Sequence, residues 1–205
     1  MKAEYKVAAA TALFLVGLGA GSILSLGHQS VSEPVTVIKL DQRFRPARAM
    51  SAELIVPVEG VSRSNLTDSW GAPRDGGRSH KGIDIMASKG TPVRATTAGK
   101  IMKLFESARG GTTIYQADLQ GRFVFYYAHL DRYANGLKVG QRVAQGETIG
   151  YVGQTGNAPV PHLHFEIQAQ NSSKQWWRGT ALNPYPVLKA GRLDVAHASM
   201  QVRMK

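Results

Sequence analysis

The chain has no cysteine among its 205 residues. That absence excludes a disulfide framework and any thiolate-held metal, so a transition metal would have to be bound by histidine and carboxylate. Acidic residues are also scarce. Fourteen Asp and Glu stand against 25 Lys and Arg, for a formal net charge of +11. Such an excess draws a protein toward polyanions: nucleic acid, anionic lipid or charged wall polymer. The basic residues are spread along the chain, however, and the dense run that marks a nucleic-acid tail is missing, so no nucleic-acid partner is expected. Beyond residue 50 there is no long 3.6-residue apolar period either, which argues against a helical domain.

One long uncharged run is present. Val7–Leu26 spans 20 residues, of which only Thr11, Ser22 and Ser25 are polar. A helix of about that length crosses the hydrocarbon core of a bilayer. Lys2 and Lys6 precede it, partly offset by Glu4, which holds that end in the cytoplasm and exports the downstream chain. Residues 1–27 therefore read as a signal anchor, or as a signal peptide if cleaved. The run is longer than the usual h-region of about 7–15 residues and has no clean small-x-small site after it, which favours the anchor. The expected location is the cell envelope: tethered to the inner membrane and facing the periplasm, or secreted if the segment is removed. Residues 28–50, of mixed charge and carrying Pro34 and Pro46, read as a linker.

From Ser51 the texture changes. Short β-favouring runs, among them Glu53–Val58, Thr91–Ala95, Lys100–Phe105, Thr112–Ala117, Arg122–Ala128, Thr148–Val152 and His164–Gln168, alternate with glycine-bearing turns. Arg109-Gly110-Gly111 and Gln120-Gly121 have the chemistry of tight hairpins. The pattern predicts an all-β, antiparallel domain over residues 51–188, followed by a basic tail or terminal helix over 189–205. The stretch from Gly136 to Gly150 resembles the hairpin of barrel-sandwich hybrid folds, with Val139, Val143 and Ile149 expected to face inward. Carrier domains share that fold, but the exposed hairpin lysine they need is absent here.

Four of the six histidines sit in patterned places: His80-Lys-Gly-Ile-Asp84, Tyr126-Tyr-Ala-His129 and His162-Leu-His164. On a strand, residues two apart share a face, so both imidazoles of His162 and His164 reach one site while Leu163 points to the core. A straight strand would separate the Cα atoms of His80 and Asp84 by about 13 Å, too far for one ion. A bend around Lys81-Gly82 is therefore expected, curling His80 back to Asp84. Spacing alone leaves open which of His162 and His164 would bind a metal. Glu166 falls on the face of that pair, either orienting an imidazole or standing solvated. Trp176 and Trp177 read as packing or as groove lining. His28 and His197 lie outside the domain and read as unremarkable surface histidines.

Taken in order, Gly71-Ala-Pro-Arg74, Ser79-His-Lys-Gly-Ile-Asp-Ile85, Gly90-Thr-Pro-Val93, Ala98-Gly99-Lys-Ile101, Tyr127-Ala-His-Leu130, Val139-Gly-Gln-Arg-Val143, Gly153-Gln-Thr-Gly156, Pro161-His-Leu-His-Phe-Glu166 and Asn183-Pro184 resemble the lysostaphin-type (LytM-like) zinc endopeptidases. The likeness runs from about Val56 to Leu188. It implies a Zn2+ site on His80, Asp84 and His164, catalytic roles for His162 and His129, and hydrolysis of peptide crosslinks or bridges in bacterial peptidoglycan. The tyrosine that some members carry before the first ligand is absent. Arg74 is the candidate to take its place toward substrate, and Asn157, in a loop that departs from the family's usual run, is the second candidate substrate contact. Relatives that have lost ligands act as binding regulators of other wall hydrolases. This chain keeps all five residues, which weighs against that alternative. A regulatory protein partner is not identified by the sequence.

Overall fold

The computed structural model of the chain describes residues 51–170 and 179–194. Thirteen strands, one short α-helix and a single 3-10 turn at Arg63–Asn65 make up the regular structure of the described part. In chain order they are β1 (Ser51–Glu53), β2 (Pro73–Arg74), β3 (Arg78–Ser79), β4 (Ile83–Met86), β5 (Pro92–Arg94), β6 (Gly99–Ser107) and β7 (Gly111–Asp118). There follow β8 (Phe123–Tyr133), β9 (Arg142–Val143), β10 (Thr148–Val152), β11 (His162–Ala169), β12 (Thr180–Leu182), α1 (Pro184–Ala190) and β13 (Arg192–Asp194). All the pairings are antiparallel. Nine strands form one sheet, in which β12, β11, β8, β7, β6 and β9 lie side by side, β4 adds to β11, and β10 joins β8 to β5. The expected antiparallel β domain is what is seen.

Period-2 alternation decides which face each residue takes. On β4, Ile83 and Ile85 are buried while Asp84 and Met86 face away; on β11, Leu163, Phe165 and Ile167 are buried while His164 and Glu166 lie on the opposite face. The core gathers these with Phe125, Tyr127, Leu130, Val152 and Leu182. Each such side chain contributes about 1.5–3 kcal/mol on burial, so the functional face is carried on a rigid apolar floor. Tyr127 is fully buried, and its hydroxyl both donates to Gln116 Oε1 (2.7 Å) and accepts from the Thr96 amide (3.1 Å).

The two hairpin turns read from glycine are present: β6 meets β7 through Ala108–Gly110, and β7 meets β8 through Leu119–Arg122. Three expectations differ from the structure. Val139 is 61 % exposed, because it lies in the turn before β9, where strand alternation has not begun; Val143 and Ile149 are buried as expected. Glu53–Val58 is a strand only as far as Glu53, although Leu54 and Val58 are buried, with Val58 bridging to Val93. The domain also continues past Leu188. Helix α1 is capped by Asn183, whose side chain accepts from the Tyr185 amide, and Pro184 opens it. Gly191 ends it in the left-handed conformation, and β13 then pairs with β1, burying Leu193. Among the described residues, no helix is long and apolar enough to cross a membrane. Val7–Leu26, the linker over 28–50, His28, Trp176, Trp177 and His197 lie outside the described residues.

Candidate metal centre

Strand β11 presents His162 and His164 on one face, beside β4, with His162 opposite Met86 and His164 opposite Asp84. The chain bends between β3 and β4 as the His80–Asp84 spacing requires. The Gly71 amide donates to the His80 carbonyl and the His80 amide to the Ala72 carbonyl, both at 2.9 Å, which fixes His80 outside β4. Gly82 sits in the bend; a Cβ there would lie 2.4 Å from the Phe165 carbonyl oxygen, so only glycine lets the bend press against β11.

These elements bring His80, Asp84 and His164 together, with one ligand atom from each lying within 4.8 Å of the other two. His80 Nε2 is 2.8 Å from His164 Nδ1, and Asp84 Oδ1 stands 3.2 Å from the first and 3.1 Å from the second. The outer nitrogens decide the tautomers. His80 Nδ1 lies 2.7 Å from the Ser69 carbonyl and His164 Nε2 lies 3.0 Å from Glu166 Oε1. Both partners only accept, so each histidine spends its N–H outward. The inward nitrogens of the neutral rings are then bare lone pairs facing each other and a carboxylate. Such a cluster requires a cation at its centre, either a proton or a metal. The hard-soft character of two imidazoles and one carboxylate suits Zn2+ with an open fourth position, so the residues fit the implied ion.

The titration of the group reflects the same crowding. Burial alone would lower the His164 pKa, but Asp84 and Glu166 raise it to about 8. Burial would raise that of Asp84, but hydrogen bonds from His164, His80 and Arg74 hold it far below the usual carboxylate range. The Asp84 amide is also fixed, donating to Ser69 Oγ at 3.0 Å.

Two further imidazoles border the three. The ring centres of His129 and His162 are 4.9 Å apart, and His129 lies 5.9 Å from His164. His162 Nδ1 donates to the Val160 carbonyl and His129 Nδ1 to the Thr155 carbonyl, each at 2.8 Å. Nε2 of His162 is 3.6 Å from Asp84 Oδ1. Burial lowers the His129 pKa to about 4, with the charges of His162 and His164 adding to the effect, so His129 is neutral at neutral pH.

His129 owes its place to a bulge. It is the one non-glycine among the described residues with positive φ, at 62°. Up to Ala128, β8 pairs with β11; from Leu130 it pairs with β10. Against β7, three steps on β8 match two on the partner, so one residue is extra. Such a bulge re-aims a side chain, here His129, out of the ladder.

Of the remaining expected residues, Glu166 orients His164. Arg74 reaches Asp84: its guanidinium is paired with Oδ2. Asn157 is exposed in the loop after Thr155, its backbone amide bonded to the Arg109 carbonyl (2.9 Å). Ser69 and Thr155, which hold His80, Asp84 and His129, are residues that sequence reasoning missed. Thr155 lies within the Gly153–Gly156 run that carries part of the family likeness, while nothing in the sequence marks Ser69.

The model of peptidase family M23 matches residues 78–184. The chain belongs to peptidase family M23. It is 36% identical over 131 residues to an L-Ala--D-Glu endopeptidase of Bacillus subtilis, covering 60% of this chain and 39% of that protein. It is 36% identical over 115 residues to lysostaphin of Staphylococcus simulans, covering 56% of this chain and 22% of that one. The catalytic domain of that lysostaphin superposes with a TM-score of 0.53 at 35% identity, over 62% of this chain and 95% of the domain. A zinc-containing peptidase from Vibrio cholerae gives 0.51 at 26% identity, over 64% of this chain and 38% of that one. This M23 chain spans less than half the length of the two curated relatives, and what it shares with them is the peptidase domain.

Proposed function

We propose that the chain is a zinc-dependent endopeptidase that hydrolyses peptide bonds in the stem crosslinks or bridges of bacterial peptidoglycan. One observation carries the reading: three electron-pair donors converge on a point, and two further imidazoles, His129 and His162, border it with Nδ1 tied to backbone carbonyls. The names of the relatives, an L-Ala--D-Glu endopeptidase and lysostaphin, support the substrate class.

His80, Asp84 and His164 would hold the ion. When bound, Zn2+ supplies a water of pKa about 7 and polarises a carbonyl. The protein's part is proton transfer and orientation. His162 Nε2 or His129 Nε2 accepts the proton of the attacking water and returns it to the leaving amine; the other holds the water or the oxyanion through a hydrogen bond. Ser69 and Glu166 keep the ligand rings turned inward, and Val160 and Thr155 keep the other two in the tautomer able to accept a proton.

Val7–Leu26 would tether the domain to the membrane with the active site on the outer side, or would be removed on export, giving a cell-envelope location in either case. The test is direct. Protein loaded with zinc is incubated with isolated peptidoglycan, with and without chelator, and released fragments are identified by mass spectrometry. New peptide termini that vanish with chelator and return with zinc are expected, and they name the bond. No cleavage by fully zinc-loaded protein overturns the assignment.

A further inference from the structure

Arg74 stands at the end of β2, next to a turn in which Gly76 and Gly77 both take positive φ, at 72° and 70°. The hairpin it opens is tied to the metal centre. Residues 71 and 72 exchange backbone hydrogen bonds with His80, and β2 pairs with β3 so that Arg74 lies opposite Arg78. This places the Arg74 guanidinium against Asp84, whose two oxygens are divided between two tasks. Oδ1 faces His80 Nε2, His164 Nδ1 and His162 Nε2, at 3.2, 3.1 and 3.6 Å; Oδ2 faces Arg74. The backbone of Asp84 is held separately by Ser69 Oγ.

A carboxylate on a free Cβ–Cγ bond presents either oxygen, or both, to an ion. With Oδ2 occupied by a guanidinium and the Asp84 amide held, only Oδ1 remains for the centre, in one orientation. A guanidinium suits this task because it is permanently charged and its rigid planar group aims the N–H that meets Oδ2.

We infer that Arg74 is a positioning residue for the metal: it holds Asp84 as a single-oxygen ligand and so preorganises the ion site. This rests on the zinc reading of the same site. Partners of metal-bound carboxylates and imidazoles typically change metal affinity by about 10–100-fold when removed.

The experiment uses the full-length chain, kept in detergent because of its apolar Val7–Leu26 run. Zinc affinity is measured by competition with a chromophoric chelator for wild type, Arg74→Ala and Arg74→Lys, with thermal melts of the metal-free forms to establish that each is folded. Arg74→Ala should bind zinc about 10–100-fold more weakly, and Arg74→Lys, with a point charge in place of the planar group, should recover part of the loss. Unchanged affinity in both variants overturns the inference. If the same variants lose kcat/KM at saturating zinc while binding it as wild type does, Arg74 returns to the substrate side. Should Arg74→Ala not fold, the lysine variant alone decides: affinity equal to wild type refutes a role for the planar group. Failure of wild type itself to bind one zinc would remove the zinc reading, and this inference with it, an outcome distinct from the others.

Discussion

At the scale of single residues, the two histidines of the His-Leu-His pair are placed differently although they share a strand face. His164 Nδ1 closes the triangle with His80 and Asp84, whereas His162 Nε2 stands 3.6 Å from Asp84 Oδ1 and its Nδ1 is tied to the Val160 carbonyl. His164→Ala is therefore expected to lose both bound zinc and activity. His162→Ala should keep stoichiometric zinc and lose about 10²–10⁴-fold in kcat, the usual worth of a positioned acid-base group. Metal analysis alongside single-turnover rates checks this, and loss of zinc in His162→Ala would reverse the two roles. The shared face was legible in the sequence, because i and i+2 on a strand need no other information. Which of the two closes the triangle with His80 and Asp84 was not, since it depends on which outer nitrogen finds an acceptor. The bend at Gly82 was legible from one distance argument. The pairing of Arg74 with Asp84 was not legible, because no local pattern says that a hairpin ten residues upstream folds back over Asp84.

At the scale of elements, the sequence marked a strand over Arg122–Ala128, and the structure continues it to Tyr133. The pattern stops where the bulge begins, because an extra residue breaks alternation although the strand goes on with a new partner. The bulge is held by the turn before β7 and the loop after β10. Thr155 Oγ1 donates to the Leu130 carbonyl (2.7 Å) and accepts from the Thr112 amide (3.0 Å), while its own carbonyl accepts from His129. Gly111, at φ 62°, packs so closely that a Cβ would stand 2.1 Å from Thr155 Oγ1 and 2.4 Å from its carbonyl carbon. Gly111→Ala should thus cost about 2–4 kcal/mol, from backbone strain and overpacking together. Thr155→Val removes two hydrogen bonds and leaves a half-buried amide and carbonyl without them, at about 1–3 kcal/mol, and it frees His129 to turn. Thr155→Ser keeps the hydroxyl and should restore kcat. Urea midpoints read the stability change, and kcat in the serine variant separates positioning of His129 from loss of fold; a serine variant as slow as the valine one would sink the positioning role.

At the scale of the whole domain, composition and turn spacing were enough for an antiparallel β protein, but not for its end. The expected boundary at Leu188 was drawn where the β pattern faded into a short helix. The pairing of β13 with β1, more than 130 residues earlier, is a long-range contact that no local signal reports. Arg63 adds to that closure, donating to the carbonyls of Leu188 and Leu54 at 3.0 and 2.6 Å. A chain ended at Leu188 should lose burial of Leu193 and melt several degrees lower. A second global property comes from the cluster of imidazoles. His129 has its pKa lowered to about 4 from the ordinary 6.5, because burial and the neighbouring His162 and His164 disfavour its charged form. Above pH 6.5 folded and unfolded chains are both neutral at this group, and it has no effect on stability. As pH falls from 6.5 toward 4, the unfolded chain takes up a proton that the folded chain refuses, so stability is lost through that window; below pH 4 both are protonated and the loss is complete. A shift of this size corresponds to about 3 kcal/mol. Urea titrations of the chelator-treated protein at pH 7.5 and pH 4 should therefore show wild type losing about 3 kcal/mol more than His129→Gln, which has no proton to take up. Equal losses in the two proteins would mean that His129 is hydrated and titrates normally, and its part as a neutral proton acceptor in the site would fall with that result.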